Sequence, residues 1–223
     1  FLEDPSDESP KPQNAADEKK PAEKNYCFYF WGIRKQKTLI AAVSLISLPL
    51  PSGVTELSDD GWEWACRECI KNEPHNAICL LSAAIDPNFQ NLGLSKTLLN
   101  QVKQNACSLG FSKVIAPVRP SHKSYFPEMS LSEYLQKKTE NGEVFDPWLR
   151  THFKLGGRHL NICSRSVVIS ASLNRWREWT GLNFNDDQKS FLPQQVLNPV
   201  QIEGEKGVYV EPNVWVIYEL GNS

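Results

Sequence analysis

The period of apolar positions changes several times along the chain, and each change marks an element. Residues 26–33 are aromatic and extended, residues 35–37 are polar, and residues 38–50 are rich in β-branched and apolar side chains. That order predicts an antiparallel hairpin. Residues 57–72, with Trp62, Trp64, Cys66 and Ile70, read as a short helix laid on the sheet. Residues 76–85 are nearly all apolar, the pattern of a strand covered on both faces. From 96 to 109 the period becomes helical, with Leu98, Leu99, Val102 and Ala106 on one face and Gly110 as the stop. Residues 113–118 form another buried strand, ended by Arg119-Pro120. Residues 130–138 and 146–155 read as helices, the second with Asp146 as N-cap and Pro147 in the first helical position. A long strand over 159–172, a short helix over 172–180 with Trp176 and Trp179, and a closing strand over 207–220, interrupted near Pro212-Asn213, complete the chain. The sum is one α/β (α+β) domain with a mixed central β-sheet flanked by helices.

Composition refines that picture at the N-terminus. Residues 1–25 carry Pro5, Pro10, Pro12 and Pro21 among alternating acids and lysines, with almost nothing apolar after Leu2. Such a segment buries too little surface to offset its ordering entropy and reads as a disordered linker, leaving residues 26–223 as the folded domain. A start at Phe1 suggests a piece of a larger or processed polypeptide. The net charge of −2 gives no basic footprint for nucleic acid. No signal peptide is visible, and the longest apolar stretch, residues 39–51, is too short to span a bilayer. The six cysteines are scattered and read as reduced cytoplasmic thiols. Cys66-x-x-Cys69 lacks a second ligand pair, so a helical face is expected there, and no metal site.

Candidate chemistry begins where the strand over 76–85 turns into the following helix. The turn reads Ile85-Asp86-Pro87-Asn88-Phe89-Gln90-Asn91-Leu92-Gly93-Leu94-Ser95. A strand, this turn and a helix leave the first helical N–H groups without intrahelical partners at the positive end of the dipole, an anion site. Gly93, without a Cβ, lets a phosphate approach the backbone. The Gln-x-x-Gly-x-Ser run between strand and helix resembles the pyrophosphate-binding signature of the GNAT acyltransferase superfamily, with Ser95 where that signature has Gly or Ala. The resemblance implies a GNAT fold. It also implies a coenzyme A thioester held by Ile85, Gln90, Asn91, Leu92, Gly93, Leu94 and Ser95.

Further residues narrow the resemblance. Ala116-Pro117-Val118-Arg119-Pro120-Ser121, Phe145-Asp146-Pro147-Trp148-Leu149-Arg150-Thr151-His152 and Trp176-Arg177-Glu178-Trp179-Thr180-Gly181 are similar to segments of the GNAT-like loading domains of polyketide synthases of the curacin type. For that group the resemblance implies decarboxylation of a malonyl thioester, from malonyl-CoA or a malonyl carrier protein, to the acetyl-type thioester. Delivery of the acyl group to the phosphopantetheine arm of an acyl carrier protein, among neighbouring synthase domains, is also implied. The matching site residues are Trp31, Ser121, His152 and Arg165, with Arg158 and Arg119 as alternatives for the arginine. His152 and Ser121 would donate to the thioester oxygen, His152 would also return a proton to carbon, and Trp31 would make an apolar wall beside the carboxylate. Two readings compete with this one: a conventional N-acetyltransferase acting on an amine, with Asp86 as base unless it only serves the turn, and a non-catalytic module of a synthase.

Overall fold

The computed structural model describes residues 28–185 and 188–221. The linker expected over residues 1–25 lies outside the described residues, as does the beginning of the first expected strand. The elements run β1 (Phe28–Lys35), β2 (Thr38–Leu48), α1 (Gly61–Glu68), β3 (Ala77–Ile85), α2 (Leu94–Ser108), β4 (Lys113–Val118), α3 (Leu131–Gln136), α4 (Pro147–Lys154), β5 (Arg158–Ser172), α5 (Leu173–Thr180), β6 (Ser190–Phe191), β7 (Val200–Glu203) and β8 (Lys206–Glu219). Two short 3-10 turns, Pro87–Phe89 and Lys123–Tyr125, link them. The expected mixed sheet is present, in the order β1-β2-β3-β4-β8-β7-β6, with β5 paired to β8.

The apolar faces read from the sequence explain the layers. Leu98, Leu99, Val102 and Ala106 of α2 pack on one face of the sheet, with Leu149 of α4 and Tyr134 of α3 in the same core. On the opposite face Ala65 of α1 packs with Ile46, Cys79, Ile115 and Trp215. A third cluster joins α5 to β6–β8 through Trp176, Phe184, Phe191 and Tyr209. Among the described residues, no helix is long and apolar enough to cross a membrane.

The sheet is continuous except at one place, and that place makes the site. The parallel β3–β4 pairing holds only from Ala77–Cys79 against Lys113–Ile115. Ser44 faces Ser82 while Leu45 faces Leu80, so Leu81 is an extra residue that bends β3 at the point where pairing with β4 ends. Past the bulge β3 stays with β2, β4 stays with β8, and Pro117 has no N–H to offer a neighbour. A cleft opens between the two strands. Accordingly β3 is buried on both faces only in its first half; Ser82, Ala83 and Ala84 are exposed.

Other departures from the sequence reading have local causes. The helix over 57–72 is confined to Gly61–Glu68, because both backbone groups of Leu57 bond to the Asn161 side chain and tie that stretch to β5. α2 begins two residues before Lys96, since the Gly93 carbonyl already accepts from the N–H groups of Lys96 and Thr97. The closing strand runs unbroken past Pro212-Asn213; its partner gives way instead, with Cys163 facing Asn213 and Val167 facing Glu211. Residues 164–166 bulge out, and the Ser166 side chain folds back beneath α1.

Gly61, at φ +45°, sits against that bulge, and a Cβ there would lie 2.6 Å from Ser166 Cβ and 2.8 Å from its Cα. Replacement Gly61→Ala is expected to cost about 1–3 kcal/mol through strain and overpacking. Urea unfolding would measure it, and a midpoint equal to wild type would contradict this account of the α1–β5 junction.

Candidate functional site

Two adjoining hollows occupy the cleft. The larger, about 500 Å³, is lined by Leu80, Ser82, Pro117, Arg119, Ser121, Trp148, His152, Glu211 and Asn213, with Trp62 also on its wall. The second, about 390 Å³, reaches the start of α2 and is lined by Ile85, Gln90, Ser95, Leu98, Pro147 and Thr151. Ala83, Ser121 and Trp148 line both, so one path leads from the helix end to His152.

The turn ahead of α2 has the geometry its sequence suggests. Asn91 and Gly93 take left-handed backbone angles, φ +62° and +75°. No side chain caps α2, and the N–H groups of Leu94 and Ser95 lie ahead of its first internal bonds. Nothing lies within 4 Å of where a Gly93 Cβ would be, so the glycine serves the turn and open approach, not packing. Leu92 is 68% exposed beside it. Asp86, the candidate base, accepts from the backbone and side-chain nitrogens of Asn88 and acts as a turn cap.

Asp146 shapes the inner end of the cleft. Its carboxylate is 1% exposed. Oδ1 accepts from the N–H groups of Trp148 and Leu149 at 3.0 Å, capping α4. Oδ2 accepts from His122 N–H at 2.9 Å and Tyr134 Oη at 2.8 Å. One side chain thus fastens the loop after β4 to the helix that bears His152. Burial and the adjacent carboxylate push the Tyr134 phenol well up. The Ser121 hydroxyl donates to Oδ1 through a long bond of 3.5 Å, and the residue lines the cavity.

His152 is fully buried, and Trp148 lies edge-on to it at 4.3 Å between ring centroids. Its Nδ1 is 2.7 Å from Tyr218 Oη. Were Nδ1 to donate, the Tyr218 hydroxyl would need another acceptor. The nearest, the His152 carbonyl at 3.4 Å, already accepts from the N–H groups of Leu155 and Gly157. We assign Tyr218 as the donor to Nδ1, which places the imidazole proton on Nε2. Burial drives the His152 pKa down to about 3, opposed only in part by the Asp146 charge, and raises the Tyr218 phenol. His152 is a neutral imidazole, and its Nε2–H has no partner.

Across the cavity stands a wall of acceptors on β8. Glu211 Oε2 accepts from Arg119 Nε at 2.9 Å and Tyr209 Oη at 2.7 Å. Asn213 donates through Nδ2 to Ser166 Oγ at 2.9 Å, and its Oδ1 is buried without a partner. Among the described residues, His152 Nε2 and Asn213 Oδ1 are the two buried side-chain polar atoms with no hydrogen bond, and both residues line this cavity.

Of the sequence candidates, the structure brings His152 and Ser121 together, and places Ile85, Gln90 and Ser95 on the adjoining hollow. Trp31 is elsewhere. It faces Val43 on β1–β2 and lines a separate recess with Leu98, Gln101 and Val102 of α2. Arg165 is also apart: it sits in the β5 bulge, exposed, with its N–H bonded to the Asp59 carbonyl. The arginine on the cavity is the alternative Arg119, and its tryptophans are Trp148 and Trp62; Arg158 is exposed at the start of β5. Tyr218, Glu211 and Asn213 were missed by sequence reasoning, which saw their strand only as apolar. The signal available was a Glu and an Asn two apart on an otherwise buried strand.

No family model matches the chain. Over 199 residues it is 29% identical to the arginine N-acetyltransferase avaD of Aspergillus versicolor, covering 78% of this chain and 69% of that protein. Among solved structures it resembles the loading GNATL domain of CurA from Lyngbya majuscula, with a TM-score of 0.53, 18% identity and coverage of 86% and 76% of the two chains. It also resembles the GphF GNAT-like decarboxylase in complex with isobutyryl-CoA, with a TM-score of 0.51, 17% identity and coverage of 86% and 78%. The chain has the GNAT fold, and its likeness to the GNAT-like loading domain extends from sequence segments to structure.

Because the unfolded His152 binds a proton near pH 6.5 and the folded one only near pH 3, the unfolded state holds more protons between those values. Its contribution to stability is present above pH 6.5 and is lost as pH falls toward 3, with a slope of up to about 1.4 kcal/mol per pH unit. Thermal unfolding of wild type and His152→Gln across that range should show a steeper slope in wild type, since Glu133 and Glu143, whose carboxyls are held below their usual range, contribute to both. In the Tyr218→Phe variant, nitrogen NMR of the imidazole should show the Nδ1-protonated tautomer appearing; an unchanged tautomer would remove Tyr218 from this role.

Proposed function

We propose that the cleft binds a coenzyme A or carrier-borne thioester and decarboxylates a malonyl-type acyl group, with S-acyl transfer to an acyl carrier protein as the following step. The observation that carries this reading is the buried, neutral His152 on the lining of the cavity, with no hydrogen-bond partner at Nε2. When the carbon–carbon bond to the carboxylate breaks, CO2 leaves and its electron pair is delocalised onto the thioester oxygen. A fixed, preorganised donor stabilises that charge far better than solvent does. His152 Nε2–H and the loosely held Ser121 hydroxyl are the donors on that wall.

The structure alters the part assigned to His152. With its pKa near 3 the ring is uncharged at neutral pH, so it acts as a hydrogen-bond donor, and the proton that reaches carbon comes from water. The apolar surroundings that favour loss of a neutral molecule fall to Trp148 and Trp62 in place of Trp31. On the handle side, the Gln90–Ser95 turn offers its N–H groups to a pyrophosphate or to the phosphate of a carrier arm. No step in this scheme calls for a metal, and among the described residues no group of ligating side chains could hold one.

A second reading, N-acyl transfer, is favoured by the similarity to an arginine N-acetyltransferase. Asp86 gives it no support as base, since its carboxylate is engaged by Asn88.

Incubation with malonyl-CoA, followed by mass spectrometry, should show conversion to acetyl-CoA. His152→Ala should slow that conversion by about 100-fold or more, the worth of one aimed donor, while CoA affinity is retained. Malonyl-CoA left intact at high protein concentration would refute decarboxylation, and equal rates in the variant would remove His152 from it.

A further inference from the structure

We propose that the second half of β5, residues 167–172, is the interface for a second copy of this chain, paired antiparallel across a two-fold axis at Ile169. The inference is independent of the thioester reading.

Position in the sheet leaves this segment open. Among the described residues β5 pairs with β8 alone, so its other side is an edge of the sheet 15 residues long. The first half of that edge is covered by the loop ahead of α1. Leu57 bonds there to the Asn161 side chain, and Asp59 accepts from the N–H groups of Ser164 and Arg165. Beyond the 164–166 bulge the cover stops. The ladder with β8 then decides which backbone groups are left over. Leu173 N–H donates to the Glu205 carbonyl, so that pair and every second pair before it turn their groups toward β8. The N–H and C=O groups of Val168 and Ser170 therefore point away from β8. Among the described residues none of the four has a hydrogen-bond partner.

The segment is complementary to itself. From Ser166 to Ser172 it holds no charge, no proline and no glycine, and Ile169 is 37% exposed. The devices that blunt an open edge are missing from it. On β1, at the opposite edge of the sheet, they are present as a bulge between Ile33 and Arg34 and a terminal Lys35. Antiparallel strands exchange bonds between residues whose groups face each other, so Val168 of one copy pairs with Ser170 of the other, and the reverse. Ile169 then meets its own counterpart in the close, non-hydrogen-bonded position. Charge fits the same axis. Arg165 is exposed at one end of the segment; near the other end the β7–β8 turn carries Glu203 and Glu205 against Lys206. None of these four is in an ion pair within the described residues. Arg165 and Leu173 lie equally far from Ile169 along the chain, and Leu173 is bonded to Glu205. The two-fold axis thus brings each Arg165 toward the acidic turn of the other copy. A strand pair this short buries less than the roughly 1,200–2,000 Å² of a standard interface, which sets a reversible dimer in the micromolar range.

Analytical ultracentrifugation of the full chain should show a dimer at about 100 μM protein that dissociates on dilution to about 1 μM. Ile169→Lys sets two ammonium groups against each other at the axis and should weaken the dimer about tenfold or more. Ser170→Pro removes an N–H that only the second copy uses, so the ladder with β8 is kept while the dimer is lost. Arg165→Glu should weaken the dimer about tenfold, and adding Glu205→Arg should restore it to within about threefold. Loss of folding cannot produce that recovery. A chain that stays monomeric at about 100 μM overturns the proposal, as does a dimer that survives both Ile169→Lys and Ser170→Pro. Failure of the paired charge reversal to recover the dimer overturns the register and the proposal with it. A dimer broken by Phe30→Lys and untouched by Ile169→Lys would place the contact on β1, and overturns it too.

Discussion

The buried carboxylate of Asp146 is the interaction on which the site depends. It accepts four hydrogen bonds of 2.8–3.0 Å from groups that belong to three different segments. Two come from the first turn of α4, one from the loop that follows β4, and one from Tyr134 of α3. A carboxylate this deep is tolerable only because its donors replace the lost water. Having been tolerated, it fixes the distance between Ser121 and the helix that carries His152. Placement of the donor wall is therefore a consequence of a helix cap, not of catalytic residues bonding to each other.

The second constraint is the early end of β3–β4 pairing. A parallel pair with a bulge at its fork leaves a wedge of space whose walls are strands, and strand walls are stiff. Because β8 lies beside β4 and carries Tyr218 and Asn213 an odd number of residues apart, the strand holds His152 through Tyr218 on one face and lines the cavity with Asn213 from the other. The β5 bulge completes this arrangement by sending Ser166 under α1 to hold Asn213 from behind. Cleft and orientation thus arise from two of the sheet's irregularities.

Those irregularities explain what was legible in the sequence. The Asp146-Pro147 cap, the apolar face of α2, the hairpin and the Gly93 turn were all readable, because each is set by neighbours within a few residues. His152 and Ser121 came from the resemblance to the GNAT-like loading domains, not from a local pattern, and both line the cavity. Trp31 and Arg165 lie off the cavity lining, and their positions depend on strand pairing, which no local pattern encodes: Trp31 lies two strands from the fork, and Arg165 falls in a bulge. The short strands β6 and β7 escaped for the same reason, being only two and four residues long and defined by pairing alone. Asn213 read as part of an interruption of the closing strand, yet it is buried within an unbroken strand, as is Tyr218.

That core position carries a physical implication. A donor and an acceptor left unpaired inside a protein each cost on the order of 1–3 kcal/mol, against a total stability of about 5–15 kcal/mol. His152 Nε2 and Asn213 Oδ1 cannot relieve one another, since each is held from behind, by Tyr218 and by Ser166. Apolar side chains of similar size would remove both penalties, yet the chain carries them on two residues that line one cavity. The cost is recovered only when something bound there supplies an acceptor to the first and a donor to the second. Rigid partners behind both groups mean that little further ordering is needed at that moment, so most of the recovered energy is available to hold the reacting atoms in place.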